Sequence, residues 1–177
     1  MERSIRNIRR VSLILMVVVS CTILGWLIWL VYHVWPFVFT DRIYDVGVTA
    51  EGVTITMIQR VVYGLIWVAA IALGLAAGGF AVKVLHLFST GSYFTFATMR
   101  ALKRMGFCLT AAMAFDFFMP TLVRVTLSWN NPAGIVTPDF WFEPADVFLG
   151  LAGLAFALIG WVFGVAREIY EENQEFV

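Results

Sequence analysis

The chain has 177 residues, 61% of them hydrophobic, 16% aromatic and only 14% charged, with a formal net charge of zero. A soluble domain carries about a quarter charged residues, so this one lacks the polar surface to cover itself in water. Together with a mean hydropathy of +0.86, that excludes a soluble enzyme, a nucleic-acid-binding domain and a disordered chain, and leaves a single all-α membrane domain.

A hydrocarbon core about 30 Å thick needs roughly 20 apolar residues of helix. Four segments supply them: 11–35, 61–82 and 147–166, all without charge, and 105–123, interrupted by Asp116. The first follows Arg3, Arg6, Arg9 and Arg10, and Val18-Val19-Ser20-Cys21 resembles a lipoprotein cleavage box. Its apolar run continues past Cys21 to Trp35, longer than the core of a cleaved signal, so it is expected to be retained as a span.

The loop after it, 36–60, alternates Val and Thr at Val46-Gly47-Val48-Thr49 and Val53-Thr54-Ile55-Thr56, which predicts a small hairpin or an ordered extended loop. The second span carries Gly64, Gly74, Gly78 and Gly79, and the fourth carries Gly150, Gly153, Gly160 and Gly164; small residues let membrane helices approach closely. Ser89-Thr90-Gly91-Ser92 breaks the second helix, and Ser92 or Thr95 is placed to cap a new one. Phe96, Met99, Leu102 and Met105 then recur at helical spacing, with Arg100, Lys103 and Arg104 between them. This predicts a short interfacial helix before the third span, its cations near lipid headgroups.

Pro120 implies a kink or an early stop in the third span. The loop from Arg124 to Asp146 combines turn signals with Trp129 and Trp141, which suit the membrane interface. The fourth helix is expected to run into an acidic tail with Glu168, Glu171, Glu172 and Glu175, which faces the basic loop across the same membrane surface.

Orientation follows from the cations. Arg3, Arg6, Arg9, Arg10, Lys83, Arg100, Lys103, Arg104 and Arg167 lie on one side, and Arg42, Arg60 and Arg124 on the other. Nine against three places both termini and the middle loop in the cytoplasm. The expected architecture is a four-transmembrane-helix bundle.

Catalytic chemistry has few candidates. Cys21 and Cys108 differ in depth by about 10 Å, too far for a disulfide, and His33 and His86 sit at opposite faces, so neither pair predicts a metal or haem site. No phosphate loop, His-Glu-x-x-His or nucleophile elbow occurs. No cofactor and no direct nucleic-acid contact is expected. Asp116 stands out, because an ionised carboxylate near the bilayer centre is costly and marks a proton or cation site or a structural hydrogen bond. Ser20 and Thr22 of the first span lie at similar depth, and a bond from Asp116 to either would tie spans one and three together.

Phe88-Ser89-Thr90-Gly91-Ser92-Tyr93-Phe94, Met99-Arg100-Ala101-Leu102-Lys103-Arg104-Met105-Gly106 and Val162-Phe163-Gly164-Val165-Ala166-Arg167-Glu168-Ile169-Tyr170-Glu171-Glu172 together resemble the four-helix bacterial membrane family known as domain of unknown function 2975. In that family a Gly-x-x-Phe turn, an Arg-Leu pair leading to Gly, and a final Phe-x-x-Gly helix with an acidic tail recur. Here the pair is split by Ala101, and Gly164 directly follows Phe163. The resemblance implies an inner-membrane protein of undetermined activity, and a small cytoplasmic helix-turn-helix regulator as partner.

Two functional expectations follow. One is a non-enzymatic protein whose cytoplasmic face, with Arg100, Lys103, Arg104, Glu171 and Glu172, engages a partner. The other is a small transporter or channel subunit that uses Asp116 as a homo-oligomer, since four helices alone enclose little space.

Overall fold

The computed structural model describes residues 2–39, 55–129 and 144–175. They form four helices: α1 (Glu2–Phe39), α2 (Met57–Ser89), α3 (Phe96–Ser128) and α4 (Pro144–Glu175). All four are long and apolar enough to cross a membrane. At 1.5 Å per residue, helices of 32 to 38 residues span about 48–57 Å, well beyond a core of about 30 Å. Each expected span therefore lies inside a longer helix, because a charged residue ends an apolar run without ending the helical hydrogen-bond ladder.

Residues 96–105 illustrate the point. They are the first turns of α3, which runs into the span without a break. Thr95 caps it, accepting a hydrogen bond from the Thr98 amide at 3.3 Å, while the Thr98 hydroxyl donates to the Ser92 carbonyl at 2.6 Å. Of the kink or early stop expected at Pro120, the stop does not occur: the helix runs on to Ser128. Proline still removes one donor, so the Asp116 carbonyl has no i+4 backbone partner.

The break between α2 and α3 is a glycine-terminated helix end. Gly91 adopts φ +86°, the left-handed conformation that glycine takes without a Cβ penalty. The amides of Ser92 and Gly91 then donate back to Leu87 and Phe88 at 2.8 and 3.1 Å, satisfying the last carbonyls of α2. At the other end of α2, Thr56 and Gln59 form a capping box: Gln59 Oε1 accepts from the Thr56 amide at 2.7 Å, and Thr56 Oγ1 from the Gln59 amide at 3.4 Å. Residues 46–54, the bulk of the expected hairpin, lie outside the described residues, as do 130–143 of the second loop.

The bundle is laid out as an antiparallel row. Among the described residues α1 packs on α2, α2 on α3 and α3 on α4, and no other pair of helices meets. The α3–α4 seam is the closest: a Cβ added to Gly106 would collide with the backbone of Gly153 and Ala157, and one on Gly153 would lie 2.8 Å from the Gly106 carbonyl oxygen. Backbone meets backbone there, as small residues allow in lipid. Gly160 sits equally close to Lys103, and Gly150 to Met113, while on α2 Gly74 and Gly78 receive Trp26 and Ile23 of α1. Gly79 and Gly164 instead face open space. The α2–α3 seam is held by apolar packing of Tyr63, Val123 and Leu127 and by Gln59, which is fully buried and donates to the Leu127 carbonyl at 3.2 Å.

Candidate functional site

Two places in this row carry the polar groups that the sequence singles out. The first is inside the span of α3. Asp116 is exposed on the protein surface, and its depth is that of the helix middle, roughly halfway between Arg104 and Arg124. The expected bond to Ser20 or Thr22 does not form, because α1 packs only on α2. Both hydroxyls turn back on their own helix instead, Ser20 donating to the Met16 carbonyl at 2.8 Å and Thr22 to the Val18 carbonyl at 2.9 Å. A hydroxyl inside a lipid-facing helix has that i−4 carbonyl always within reach.

The acid that does accompany Asp116 is Asp146, in the first turn of α4. Gly160 lies against Lys103, Gly153 against Thr110 and Gly150 against Met113. One more turn of this antiparallel register brings Asp146 level with Asp116. Sequence reading assigned Asp146 to the external loop, and the missing signal was the helix register, which only the glycine seam defines. Thr110, one and a half turns before Asp116, crosses the same seam, sharing its hydroxyl between the Gly106 and Gly150 carbonyls at 3.1 and 3.4 Å.

The second place is the end of the row that holds the first turns of α1 and the last turns of α4. Arg9 of α1 donates to the Thr90 carbonyl at 3.4 Å, and Arg167 of α4 donates to the Phe94 carbonyl. The first and last helices thus both tie to the short connection 90–95. Arg167 is fixed on two further sides, with its guanidinium 4.6 Å from the centroid of Phe96 and its Nε donating to Glu171 at 2.8 Å. The expected pairing of acidic tail with basic loop is therefore replaced, for Glu171, by a pair within α4. Glu172 is exposed.

Arg100, Lys103 and Arg104 are all exposed on α3, and two of them lean toward different neighbours. Lys103 places its ammonium 5.9 Å from the Trp161 ring of α4, and Arg104 its guanidinium 5.9 Å from the Phe80 ring of α2. Such contacts contribute about 0.5–1 kcal/mol at exposed sites, enough to orient the side chains without removing their charge from solvent. Cys21 and Cys108 are free thiols on helices that do not meet.

Neither a family model nor a curated protein nor a solved structure matches this chain.

Proposed function

We propose that this is a non-enzymatic inner-membrane protein with both termini in the cytoplasm, which works by holding a cytoplasmic protein partner at its charged end. The observation that carries this reading is the convergence of Arg9 and Arg167, from the first and last helices, on one connection. A partner bound to either terminal helix or to residues 90–104 would be read by all the others. The cation count assigns that end to the cytoplasm, and the first turns of α3, which overrun the apolar core, lie in the interface with Arg100, Lys103 and Arg104 among the headgroups. The resemblance to the domain of unknown function 2975 family favours a helix-turn-helix regulator as the partner.

Mild cross-linking in native membranes, followed by affinity purification and mass spectrometry, tests this. Recovery of a DNA-binding regulator cross-linked to residues 90–104 or to the tail is the expected result. Recovery of the protein alone would overturn it.

A second reading, a small transporter or channel subunit, is favoured by the antiparallel α3–α4 register, which brings Asp146 level with Asp116. Two carboxylates at one depth, beside a carbonyl freed by Pro120, are the chemistry of a proton or cation path. Among the described residues the outer faces of α1 and α4 have no neighbouring helix, so this reading requires several copies. Reconstituted in vesicles, Asp116→Asn should then abolish pH-coupled flux.

A further inference from the structure

Where α3 enters the membrane beside α4, a cleft of about 310 Å³ opens between them, at the small end of the ligand-site range of roughly 300–1,000 Å³. Two glycines make it. Gly160 lets α4 lie directly on the Lys103 backbone, and Gly164 leaves a gap, since a Cβ there would meet nothing within 4 Å. The walls are Phe96 and Trp161, and the polar groups at its rim are Arg100, Lys103 and Glu168. Phe96 is held by the stacked Arg167, and the Lys103 ammonium sits over Trp161. Trp161 and Val165 also line a second, shallow groove of about 450 Å³ on the neighbouring face of α4, whose other lining includes Leu158, Val162 and Ile169.

A cleft with charged groups in its lining, side by side with a wholly apolar groove across Trp161 and Val165, matches the headgroup and chain of one lipid molecule. Two cations and one carboxylate leave a net charge of +1 at the mouth, which complements a lipid of charge −1. The carboxylate selects further, because it accepts hydrogen bonds from hydroxyls. We infer that the α3–α4 cleft binds a single anionic phospholipid of phosphatidylglycerol chemistry. Its phosphodiester lies between Arg100 and Lys103, its headgroup hydroxyls donate to Glu168, and an acyl chain follows the Val162 groove. This differs from general attraction of cations to the bilayer, which would treat every exposed Lys or Arg alike.

The test is lipid retention. The purified protein is reconstituted in vesicles of equal parts phosphatidylglycerol, phosphatidylethanolamine and phosphatidylcholine, extracted in mild detergent, and its bound lipids are counted by native mass spectrometry. Phosphatidylglycerol should be enriched about fivefold over each of the others. Arg100→Gln should lower that retention about fivefold, the effect of one interfacial cation. Gly164→Leu, whose Cβ meets nothing within 4 Å and whose longer side chain extends into the gap, should lower it as far. Lys83→Gln, an exposed cation on α2, should leave it unchanged. Equal retention of all three lipids, preference for phosphatidylethanolamine, or an equal loss in Lys83→Gln would overturn the assignment. The measurement needs no protein partner, so its failure is distinct from failure of the regulatory reading.

Discussion

Gln59 on α2 donates its side-chain amide to the Leu127 carbonyl on α3, and these two residues are the largest that are completely buried among the described residues. The same Gln59 side chain accepts from the Thr56 amide and hydroxyl at 2.7 and 2.9 Å. One polar side chain thus closes the start of one helix and fastens it to the end of another.

Gln59→Leu, at nearly the same volume, removes the Leu127 bond and the Gln59 half of the capping box, while the Thr56 hydroxyl still accepts from the amide of residue 59. A lost cap costs about 1 kcal/mol, and an interhelical hydrogen bond in a membrane protein about 0.6 kcal/mol, so the expected loss is about 1.5 kcal/mol. Thr56→Ala removes only the cap and should cost about 1 kcal/mol. Equilibrium unfolding in mixed micelles measures both, and a loss in Gln59→Leu well below that in Thr56→Ala would show that the bond to Leu127 contributes nothing.

The Gly106–Gly153 contact predicts a sharper sensitivity. Gly106→Ala puts a methyl group into the Ala157 backbone, and overpacking of this kind costs about 1–3 kcal/mol. Gly79→Ala adds the same group to open space and should be neutral. The pair of variants separates close packing from any general intolerance of helix changes, and unfolding of both under the same conditions would decide between them.

Those two seams also show what a reader of the sequence sees and misses. All four helices are visible there, because 20-residue apolar runs answer directly to bilayer thickness. Which helices touch is not visible. Glycines are spread over α2 and α4 alike, yet Gly153 meets a backbone and Gly164 meets nothing, and the difference depends on rotation about the helix axis. Asp116 is conspicuous as a lone charge in an apolar segment, but its level with Asp146 depends on the α3–α4 register. Its supposed partners Ser20 and Thr22 match it in depth alone, and depth does not bring α1 to α3.

Arg167 meets a carbonyl, a ring and a carboxylate at once. Lysine keeps the charge but has no planar fork to stack and donate together. Arg167→Lys should therefore loosen α4 from residues 94–96 nearly as much as Arg167→Ala. Hydrogen exchange at the amides of residues 92–98 reads this directly, and protection in the lysine variant equal to the native protein would show that charge alone suffices.

The side of the membrane is testable independently of function. Antiparallel packing of four spans places the N-terminus of α1 and the C-terminus of α4 at one end, so reporters fused to either terminus must agree. A fluorescent protein that matures only in the cytoplasm should be bright at both ends, and alkaline phosphatase at both should be inactive. Moving the four N-terminal arginines to the 130–143 loop attacks the charge bias itself and should lower both fluorescent signals.

Asp116 and Asp146 offer a thermodynamic test of the register. Groups in direct contact or sharing a charge interaction couple by roughly 0.5–3 kcal/mol, whereas distant sites add within about 0.3–0.5 kcal/mol. Asp116→Asn, Asp146→Asn and the double variant, unfolded under one set of conditions, complete the cycle. Coupling above about 0.5 kcal/mol is expected, with either single variant capturing most of the effect of the double, because removal of one carboxylate already ends the repulsion between two. The Asp116→Asn and Ser20→Ala pair is the matched control at equal depth on helices that do not meet, and it should be additive. Additivity in both cycles would place Asp146 away from Asp116 and remove the observation that favours an ion path.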